Sequence, residues 1–308
     1  MGSRTLSGAK NPPCSRVERA PGLAETHHFP SGDDFRTRLS LPRGEACYDN
    51  PITRRRVRVE FRFGSDRVTI THPDRAALLT EVDRRLAAGR GFALATLNLD
   101  HMVKLRHDPA FRAAYQRQDI VVADGNPVVW LSRLARRPVS LVPGADLVLP
   151  LAEAAARHGV PVALIGSTDV SLNRAAAALK AQVPGLTVAC TIAPSFGFDP
   201  EGEEAAAILT RLRDENVGLA FIALGAPKQE RLAARGRALS PRTGFASIGA
   251  GLDFLAGTQH RAPAGFRALS LEWLWRALMQ PRRMIPRYMA CAAILPGEAA
   301  RALRQRTG

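Results

Sequence analysis

Short apolar runs alternate with longer segments of helical period from residue 91 onwards, and this alternation limits the possible folds more than any other feature of the chain. The predicted strands are residues 92–98, 119–123, 161–165, 186–191, 217–224 and 243–248. The predicted helices are residues 126–136, 145–158, 170–182, 202–214 and 228–238. Because strands and helices take turns, we predict an α/β fold with a Rossmann-like, mainly parallel sheet and helices on both faces.

The region before this alternation has two parts. Residues 1–55 are rich in Pro, Gly, Ser and Arg and lack apolar periodicity, which is typical of a disordered N-terminal extension. Apolar and polar residues then alternate between Val57 and Ile70, which predicts a hairpin that leads into a helix. We therefore predict that residues 56–258 form one α/β core domain.

Residues 259–308 differ from the core in composition. After residue 260 the chain carries nine Arg and two Glu, together with Trp273, Trp275 and Tyr288. Basic residues mixed with aromatic and aliphatic ones suit a helix that lies in the headgroup region of an anionic membrane. The alternative is a packed C-terminal helix whose Trp residues cover the sheet. In both cases we predict a helical C-terminal appendage, and in the first case a membrane-associating one.

The charge of the chain favours an anionic partner. Its 308 residues include 43 Lys and Arg against 28 Asp and Glu, a formal net charge of +15. Nucleic acid, an anionic membrane face and a nucleotide diphosphate sugar all present phosphates. No zinc-finger, helix-turn-helix or aromatic RNA-binding signature is present, so nucleic acid is the last-ranked partner. The excess of Arg over Lys suits phosphate contacts, but a GC-rich coding bias explains it equally well.

Several classes of protein are not indicated by the sequence. The four cysteines, Cys14, Cys47, Cys190 and Cys291, have neither metal-ligand spacing nor the density of a disulfide framework. No uncharged apolar stretch of ~18 residues and no apolar secretory signal occurs, so we expect a cytoplasmic protein. The spacings of a Walker A loop and of a Gly-x-Gly-x-x-Gly fingerprint are also absent.

Short polar side chains follow two of the predicted strands. Asp124-Gly125 comes after the apolar run 120–123, and Thr96 and Asn98 stand at the end of the preceding strand. If these strands are parallel neighbours, the hydroxyl, amide and carboxylate converge on one crevice edge, as a site that activates a hydroxyl requires. Asp124 is then a candidate base, although Asp followed by Gly is also an ordinary turn signal.

Two glycine turns are candidate phosphate sites. Gly225 precedes a predicted helix whose first residues include Lys228, and anions bind well at such a helix N-terminus. Gly249 begins a second turn of the same kind, in which Asp253 either caps a helix or binds a ribose. No Asp-x-Asp pair is present to hold a metal against a diphosphate, so we expect neither a metal nor another cofactor. Cations of the appendage, Arg261, Arg276, Arg282, Arg283 and Arg287, would neutralise the diphosphate instead, unless they form a solvated or lipid-facing charge run.

An ordered series of strings resembles the WecG/TagA/CpsF glycosyltransferases over residues 57–295. The strings are Thr96-Leu97-Asn98, Asp124-Gly125, Val142-Pro143-Gly144-Ala145-Asp146-Leu147, Gly225-Ala226-Pro227-Lys228-Gln229-Glu230, Ile248-Gly249-Ala250-Gly251-Leu252-Asp253-Phe254, Arg261-Ala262-Pro263, Leu271-Glu272-Trp273-Leu274-Trp275-Arg276 and Pro281-Arg282 to Arg287-Tyr288. Each string alone is weakly specific, whereas their common order is much more specific.

This resemblance implies an inverting, metal-independent transferase that moves a sugar from a nucleotide diphosphate, such as a UDP-sugar, to a polyprenyl-diphosphate-linked saccharide. The appendage would close the site and contact the inner face of the membrane. Asp124 would be the general base, with Thr96 and Asn98 beside it. Gln229 would contact the donor, and the diphosphate would meet Arg276, Arg282 and Arg287.

The chain departs from the family pattern at two places. Many members carry Glu-Arg where this chain has Ser140 and Leu141, so that Arg136 or Arg137 would have to supply the missing cation, or the donor differs from the N-acetylmannosamine type. Ser270 stands where Gly is usual. A non-enzymatic nucleotide- or phosphate-binding regulator on the same sheet is the alternative function, and a homo-oligomer is compatible with either.

Overall fold

The computed structural model describes residues 59–259 and 272–306 of the chain. The predicted extension over residues 1–55, and with it Cys14 and Cys47, as well as Arg261 and Ser270, lie outside these residues. The strands are β1 (Glu60–Phe63), β2 (Asp66–Thr69), β3 (Phe92–Leu97), β4 (Ile120–Ala123), β5 (Val162–Gly166), β6 (Val188–Ile192), β7 (Leu219–Ala223) and β8 (Gly244–Ser247). The helices are α1 (Arg75–Ala87), α2 (Leu99–His107), α3 (Pro109–Gln116), α4 (Asn126–Leu134), α5 (Val148–Arg157), α6 (Asp169–Gln182), α7 (Glu203–Asp214), α8 (Lys228–Leu239), α9 (Gly251–Leu255), α10 (Glu272–Met279) and α11 (Pro281–Arg304).

Six strands form a parallel sheet in the order β4-β3-β8-β7-β5-β6. Every residue of β3 and β5 is buried, which explains why these segments read as continuous apolar runs rather than as alternating ones. Each of the six predicted strands is present, with bounds shifted by one or two residues. The predicted parallel α/β sheet is confirmed.

Helices cover both faces of this sheet, as predicted. On the first face, α1, α5, α6 and α9 contribute to a core cluster that includes Leu164 of β5. On the second face, α7 and α8 pack over a cluster that includes Ile165, the next residue of the same strand. Successive side chains of a strand point to opposite faces, so one apolar strand serves both cores.

A two-stranded antiparallel hairpin, β1–β2, precedes α1, and the predicted hairpin and helix are therefore both present. The two strands are joined through Gly64, whose φ of +65° lies in the left-handed region that glycine adopts without strain. Phe61 and Val68 of the hairpin are buried in a cluster with residues of β3, β4, α2 and α3.

Helices α2 and α3 were not predicted. They fill the connection between β3 and β4, and each begins at an Asx N-cap. Asn98 Oδ1 accepts a hydrogen bond from the His101 N–H at 2.9 Å, and Asp108 Oδ1 accepts one from the Phe111 N–H at 2.9 Å. The Asp108-Pro109 pair is a recognisable helix start, because proline is favoured in the first helical turn.

The C-terminal appendage is helical, as predicted, and its second helix is part of the core. Helix α11 packs against α2 and α4. Cys291, Ile294 and Ala302 belong to the same cluster as the hairpin. Helix α11 is therefore a packed C-terminal helix, as in the second of the two predictions for the appendage. The tryptophans that this prediction placed against the sheet lie on α10. No helix of the described residues is long and apolar enough to cross a membrane.

Candidate functional site

The carboxyl ends of β3 and β4 bring the predicted catalytic residues together. The two strands pair in parallel with Leu97 opposite Ala123, so Asn98 and Asp124 follow at the same level. The Asp124 N–H donates to the Leu97 carbonyl at 2.8 Å, and the Thr96 hydroxyl donates to Asp124 Oδ2 across a longer 3.4 Å. The predicted adjacency of these strands is confirmed, and it places a carboxylate and a hydroxyl at one edge of the sheet.

Asn98 has a structural function at this edge. Its side-chain oxygen caps α2, so the amide orientation is fixed by the helix. Capping of this kind typically contributes about 1 kcal/mol to stability. Loss of activity on replacing Asn98 would thus mix a catalytic effect with a structural one.

Two glycines shape the backbone around Thr96 and Asp124. Gly125 has a φ of +102° and begins α4, a conformation that L side chains rarely adopt. Gly144 starts a 3₁₀ turn, and a Cβ at this position would lie 3.3 Å from Thr96 Oγ1 and 3.2 Å from Ile248 Cα. The segment that contains Gly144 therefore lies directly over the ends of β3 and β8 and forms a wall of the site.

Buried polar residues connect the turn after β7 with the turn after β8. Gln229 is 3% exposed; its Oε1 accepts a hydrogen bond from the Gly249 N–H at 3.3 Å, and its Nε2 donates to Glu230 Oε1 at 2.8 Å. A donor contact was predicted for Gln229, and the structure gives it a bridging position between the two glycine turns. Gly225, in the first turn, has a φ of +71° and precedes Lys228, the first residue of α8.

Glu230 is the most unusual titratable group near the site. Its side chain is fully buried, and its Oε2 has no hydrogen-bond partner in the part of the chain that the structure describes. Burial raises the pKa of Glu230 to about 7, against the opposing hydrogen bond from Gln229 and the charge of Lys104.

A second buried pair lies nearby on α2 and α3. The ring Nδ1 of His101 is 2.7 Å from the Tyr115 hydroxyl. Burial lowers the pKa of His101 to about 3 and raises the pKa of Tyr115 well above its usual value, with further increases from the charges of Glu230 and Asp124. His101 is therefore neutral at physiological pH. Sequence reasoning identified neither this pair nor Glu230 as titratable groups of the site, because their burial depends on tertiary packing.

Asp253 connects the turn after β5 to α9. The N-cap of α9 is Ala250, so Asp253 does not cap its own helix, and the first of its two predicted roles does not apply. Its carboxylate accepts hydrogen bonds from the hydroxyls of Ser167 and Ser171, the latter at 2.8 Å, and from Gln259 Nε2 at 3.0 Å. The ribose contact stays a prediction.

The connections after β5 and β7 diverge to opposite sides of the sheet. Helix α6 follows β5 on the first face, and α8 follows β7 on the second face. In open α/β sheets a crevice forms at such a switch point, and ligands bind there. At this point Gly166 has a φ of +116°, and a Cβ on it would lie 2.4 Å from the Ala223 carbonyl oxygen. The backbones of the two strands therefore approach closely enough to require glycine.

The family model described as the glycosyl transferase WecG/TagA/CpsF family matches residues 66–308. The chain belongs to the WecG/TagA/CpsF glycosyltransferase family. As a family member it transfers a sugar, and its substrates are a nucleotide-sugar donor and a glycan acceptor. The match covers the whole sheet and both helices of the appendage, so the resemblance seen in the ordered strings is confirmed.

The arginines expected at the donor diphosphate of this glycosyltransferase occupy different environments. Arg287 forms a bidentate ion pair with Asp100, with both N–O distances 2.6 Å. Arg282 is exposed in the first turn of α11, and neither Arg282 nor Lys228 has an acidic partner among residues 59–259 and 272–306. Arg276 lies in α10.

Arg287 is connected to the edge of the glycosyltransferase site through Asp100. Lys104 Nζ is 2.9 Å from Asp100 Oδ2 and donates to the Ala226 carbonyl at 3.0 Å, so α11, α2 and the turn after β7 meet here. Burial opposes ionisation of Asp100, but the hydrogen bonds from Arg287 and Lys104 outweigh it and lower its pKa. The guanidinium of Arg287 thus joins α11 to α2, and its contact with a diphosphate stays a prediction.

The departure from the family pattern lies on the exposed rim of this region. Ser140 and Leu141 are exposed, and the Ser140 N–H donates to the Pro73 carbonyl at 2.7 Å. Arg136 lies two residues beyond the end of α4, whose nine residues rise about 14 Å from Gly125. Compensation for the missing cation by Arg136 or Arg137 stays a prediction. No group of three His, Cys, Asp or Glu that could hold a metal occurs in the described parts of the chain.

Proposed function

We propose that this protein is an inverting, metal-independent glycosyltransferase in which Asp124 is the general base. The observation that carries the proposal is the convergence of Asp124 and Thr96 at the paired carboxyl ends of β3 and β4, because ligands of open α/β sheets bind on the carboxyl-end side of the strands. Asp124 takes the proton from the acceptor hydroxyl as that oxygen attacks the anomeric carbon. Thr96 orients the carboxylate, and the bond to the nucleoside diphosphate breaks on the opposite face of the sugar.

The leaving diphosphate requires positive charge in place of a metal. Lys228 stands at the start of α8, where the backbone N–H groups also favour anions, and Arg282 is free of ion pairs within the described residues. These groups, with Arg261 and Arg276, would stabilise the diphosphate as it departs. The donor is a UDP-sugar of hexosyl or N-acetylhexosaminyl type in this proposal.

The proposed acceptor is a polyprenyl-diphosphate-linked saccharide used in bacterial exopolysaccharide or other surface glycan synthesis. Support comes from the exposed face of α10 and α11, which combines large apolar side chains with arginines. The apolar residues are Trp273, Leu278, Met279, Ile285 and Met289, which are 50%, 64%, 63%, 53% and 66% exposed. Arg282 and Arg283 are exposed between them. Such a face suits the headgroup layer at the inner side of the cell membrane, with the rest of the protein in the cytoplasm.

The catalytic part of the proposal is tested with Asp124→Asn. An amide cannot accept the acceptor proton, and the loss of a general base typically lowers the rate by ~10² to 10⁴. Transfer is measured with a panel of UDP- and GDP-sugars and a lipid-diphosphate acceptor. Donor binding and the melting temperature should stay close to those of the wild type, which separates chemistry from folding. Wild-type turnover by Asp124→Asn would show that the base is another residue.

The same experiment distinguishes the proposed glycosyltransferase from the alternative function, a non-enzymatic nucleotide-binding regulator. A regulator would bind a nucleotide without turnover in any donor and acceptor combination, and Asp124→Asn would then change no rate. Lys228, near the turn after β7, could contact the phosphates of a sugar donor or of a regulatory nucleotide. Nucleotide binding alone therefore does not decide between the two functions.

The membrane part of the proposal is tested by point substitution rather than by truncation. Because α11 contributes buried residues to the core, removal of the chain after residue 260 would delete Cys291 and Ile294 and expose the core residues that they cover. Ile285→Ser with Met289→Ser leaves the buried face of α11 intact and should reduce flotation with anionic vesicles. Arg282→Glu with Arg283→Glu should reduce it most at low salt, since each basic residue near an anionic surface contributes about 1 kcal/mol. Unchanged flotation of both double variants would contradict membrane binding through this face.

A further inference from the structure

Four arginines line a cavity far from the catalytic edge. The cavity has a volume of about 220 Å³ and lies among the hairpin, the end of α2, helix α3 and the end of α11. Its lining residues are Arg62, Phe63, Gly64, Arg106, Arg112 and Arg301. We call this cavity the arginine pocket. No residue of the proposed glycosyltransferase site lines it.

Two carboxylates hold three of these arginines in place. Glu298 Oε1 accepts hydrogen bonds from Arg106 Nη2 at 2.6 Å and from Arg301 Nη1 at 2.7 Å, and the Glu298 side chain is 1% exposed. Asp66 Oδ2 accepts a hydrogen bond from Arg112 Nε at 2.8 Å. These contacts use only some of the N–H groups of each guanidinium, so donors are left over on groups whose positions are already fixed.

The charges of the arginine pocket do not balance. Four guanidinium groups face two carboxylates, which leaves a local charge of +2. Glu298 is shared by two arginines, and Arg62 has no acidic partner within the described residues. Uncompensated like charges in a concavity repel one another, and an anion that enters removes this repulsion. A phosphate group with a charge near −2 fits this balance, and guanidinium groups bind phosphate oxygens in bidentate geometry.

The arginine pocket is separate from the expected diphosphate site. Arg287 and Arg301 both lie on α11, fourteen residues apart, which corresponds to about 21 Å along a helix. Arg287 joins α11 to the first turn of α2, whereas Arg106 in the last turn of α2 lines the pocket. A ligand in the pocket would therefore contact the hairpin, α2, α3 and α11 without reaching Asp124.

We propose that the arginine pocket binds a phosphate monoester or diphosphate, supplied either by a lipid headgroup or by a soluble phosphate compound. Because the bound anion bridges the hairpin and α11, it stabilises the docking of α11, the helix that carries Arg287 and the exposed apolar face. Binding can be measured without sugar transfer, so the proposal stands or falls independently of the proposed activity.

The test uses full-length protein and inorganic pyrophosphate as the probe. Arg62→Gln removes the pocket guanidinium that has no acidic partner among the described residues. Arg67→Gln is the matched control, because it makes the same charge change in the same hairpin at a residue that does not line the pocket. Both are measured in a Lys228→Gln background, which weakens binding at the expected diphosphate site. We expect Arg62→Gln to weaken pyrophosphate binding by about 10-fold or more, and Arg67→Gln by less than 2-fold.

The outcomes separate a built site from general electrostatics. Equal losses in the two variants, or no loss in either, would overturn the proposal. Equal melting temperatures of the ligand-free variants establish that folding is unchanged. The source of the phosphate follows from flotation with phosphatidic acid vesicles: a selective loss for Arg62→Gln supports a headgroup ligand, and selective loss of pyrophosphate binding alone supports a soluble phosphate.

Discussion

The buried carboxyl group of Glu230 should make the stability of this protein depend on pH. Burial raises its pKa from an ordinary value of 4.5 to about 7, and its Oε2 lacks a partner in the described structure. An acid whose pKa is higher in the folded than in the unfolded state favours folding when protonated. That contribution is present at low pH and is lost as the pH rises through the folded-state pKa. Glu230→Gln keeps the size of the side chain and removes the titration.

The size of the effect follows from the two pKa values. With pKa values of 4.5 in the unfolded state and about 7 in the folded state, proton binding favours the fold by roughly 3 kcal/mol at pH 5 and by almost nothing at pH 8. The free energy of unfolding of the wild type should therefore fall by roughly 3 kcal/mol relative to that of Glu230→Gln over this interval. The carboxamide has the same charge at both pH values, so other titrating groups cancel in the difference.

Urea denaturation of the two proteins at pH 5, 6, 7 and 8 measures this difference directly. The curves of unfolding free energy against pH should diverge between pH 5 and 7 and run parallel above pH 8. Parallel curves over the whole range would refute the reasoning, since they would mean that Glu230 has the same pKa in both states. Glu215→Gln, at the exposed C-terminal end of α7, is the matched control, because the hydrogen bond from Arg211 lowers the pKa of Glu215 and so keeps its titration below pH 5.

Three further predictions concern other parts of the molecule. Gly166→Ala should lower the free energy of unfolding, measured by urea denaturation, by about 3 kcal/mol, because the added Cβ would lie 2.4 Å from the Ala223 carbonyl oxygen at a φ of +116°. An unchanged denaturation midpoint would mean that β5 and β7 do not approach so closely. Sugar transfer should survive excess EDTA, since the chain has no Asp-x-Asp pair, and activity that is lost and then restored by Mg²⁺ or Mn²⁺ would contradict this. Arg287→Gln should destabilise the protein by about 1–2 kcal/mol in thermal and urea denaturation, because Asp100 would keep only Lys104 as a cationic partner. Wild-type stability of this variant would show that the pair between Arg287 and Asp100 does not hold α11 in place.

The sheet was predictable because five of its six strands are buried on both faces, whereas the edge strand β6 is partly exposed. Continuous apolar runs such as residues 162–165 carry a strong signal, and each is followed by a helix with its own period. The parallel pairing of β3 with β4, on which the convergence of Thr96 and Asp124 depends, was a condition of the prediction that the structure meets. Local sequence was sufficient to predict this convergence, because Thr96 and Asp124 each lie at the carboxyl end of a strand.

The contacts that were not predicted join residues that are distant in the chain. The pair between Asp100 and Arg287 spans 187 positions, and no local pattern indicates that α11 returns to α2. The hydrogen bonds of Asp253 to Ser167 and Ser171 likewise depend on the crossing of α9 over α6. Propensity and period describe single elements, whereas these contacts are set by how the elements pack.

The two ion pairs between α11 and α2 also impose a length requirement. Arg287, which binds Asp100, and Glu298, which binds Arg106, are eleven residues apart, or about three helical turns, so both face the same side of α11. One inserted residue between them would rotate Glu298 by ~100° and advance it by ~1.5 Å, away from its partner. Insertions and deletions in residues 288–297 should therefore be excluded from chains that fold in this way, while the exposed loop at residues 195–197 can change in length.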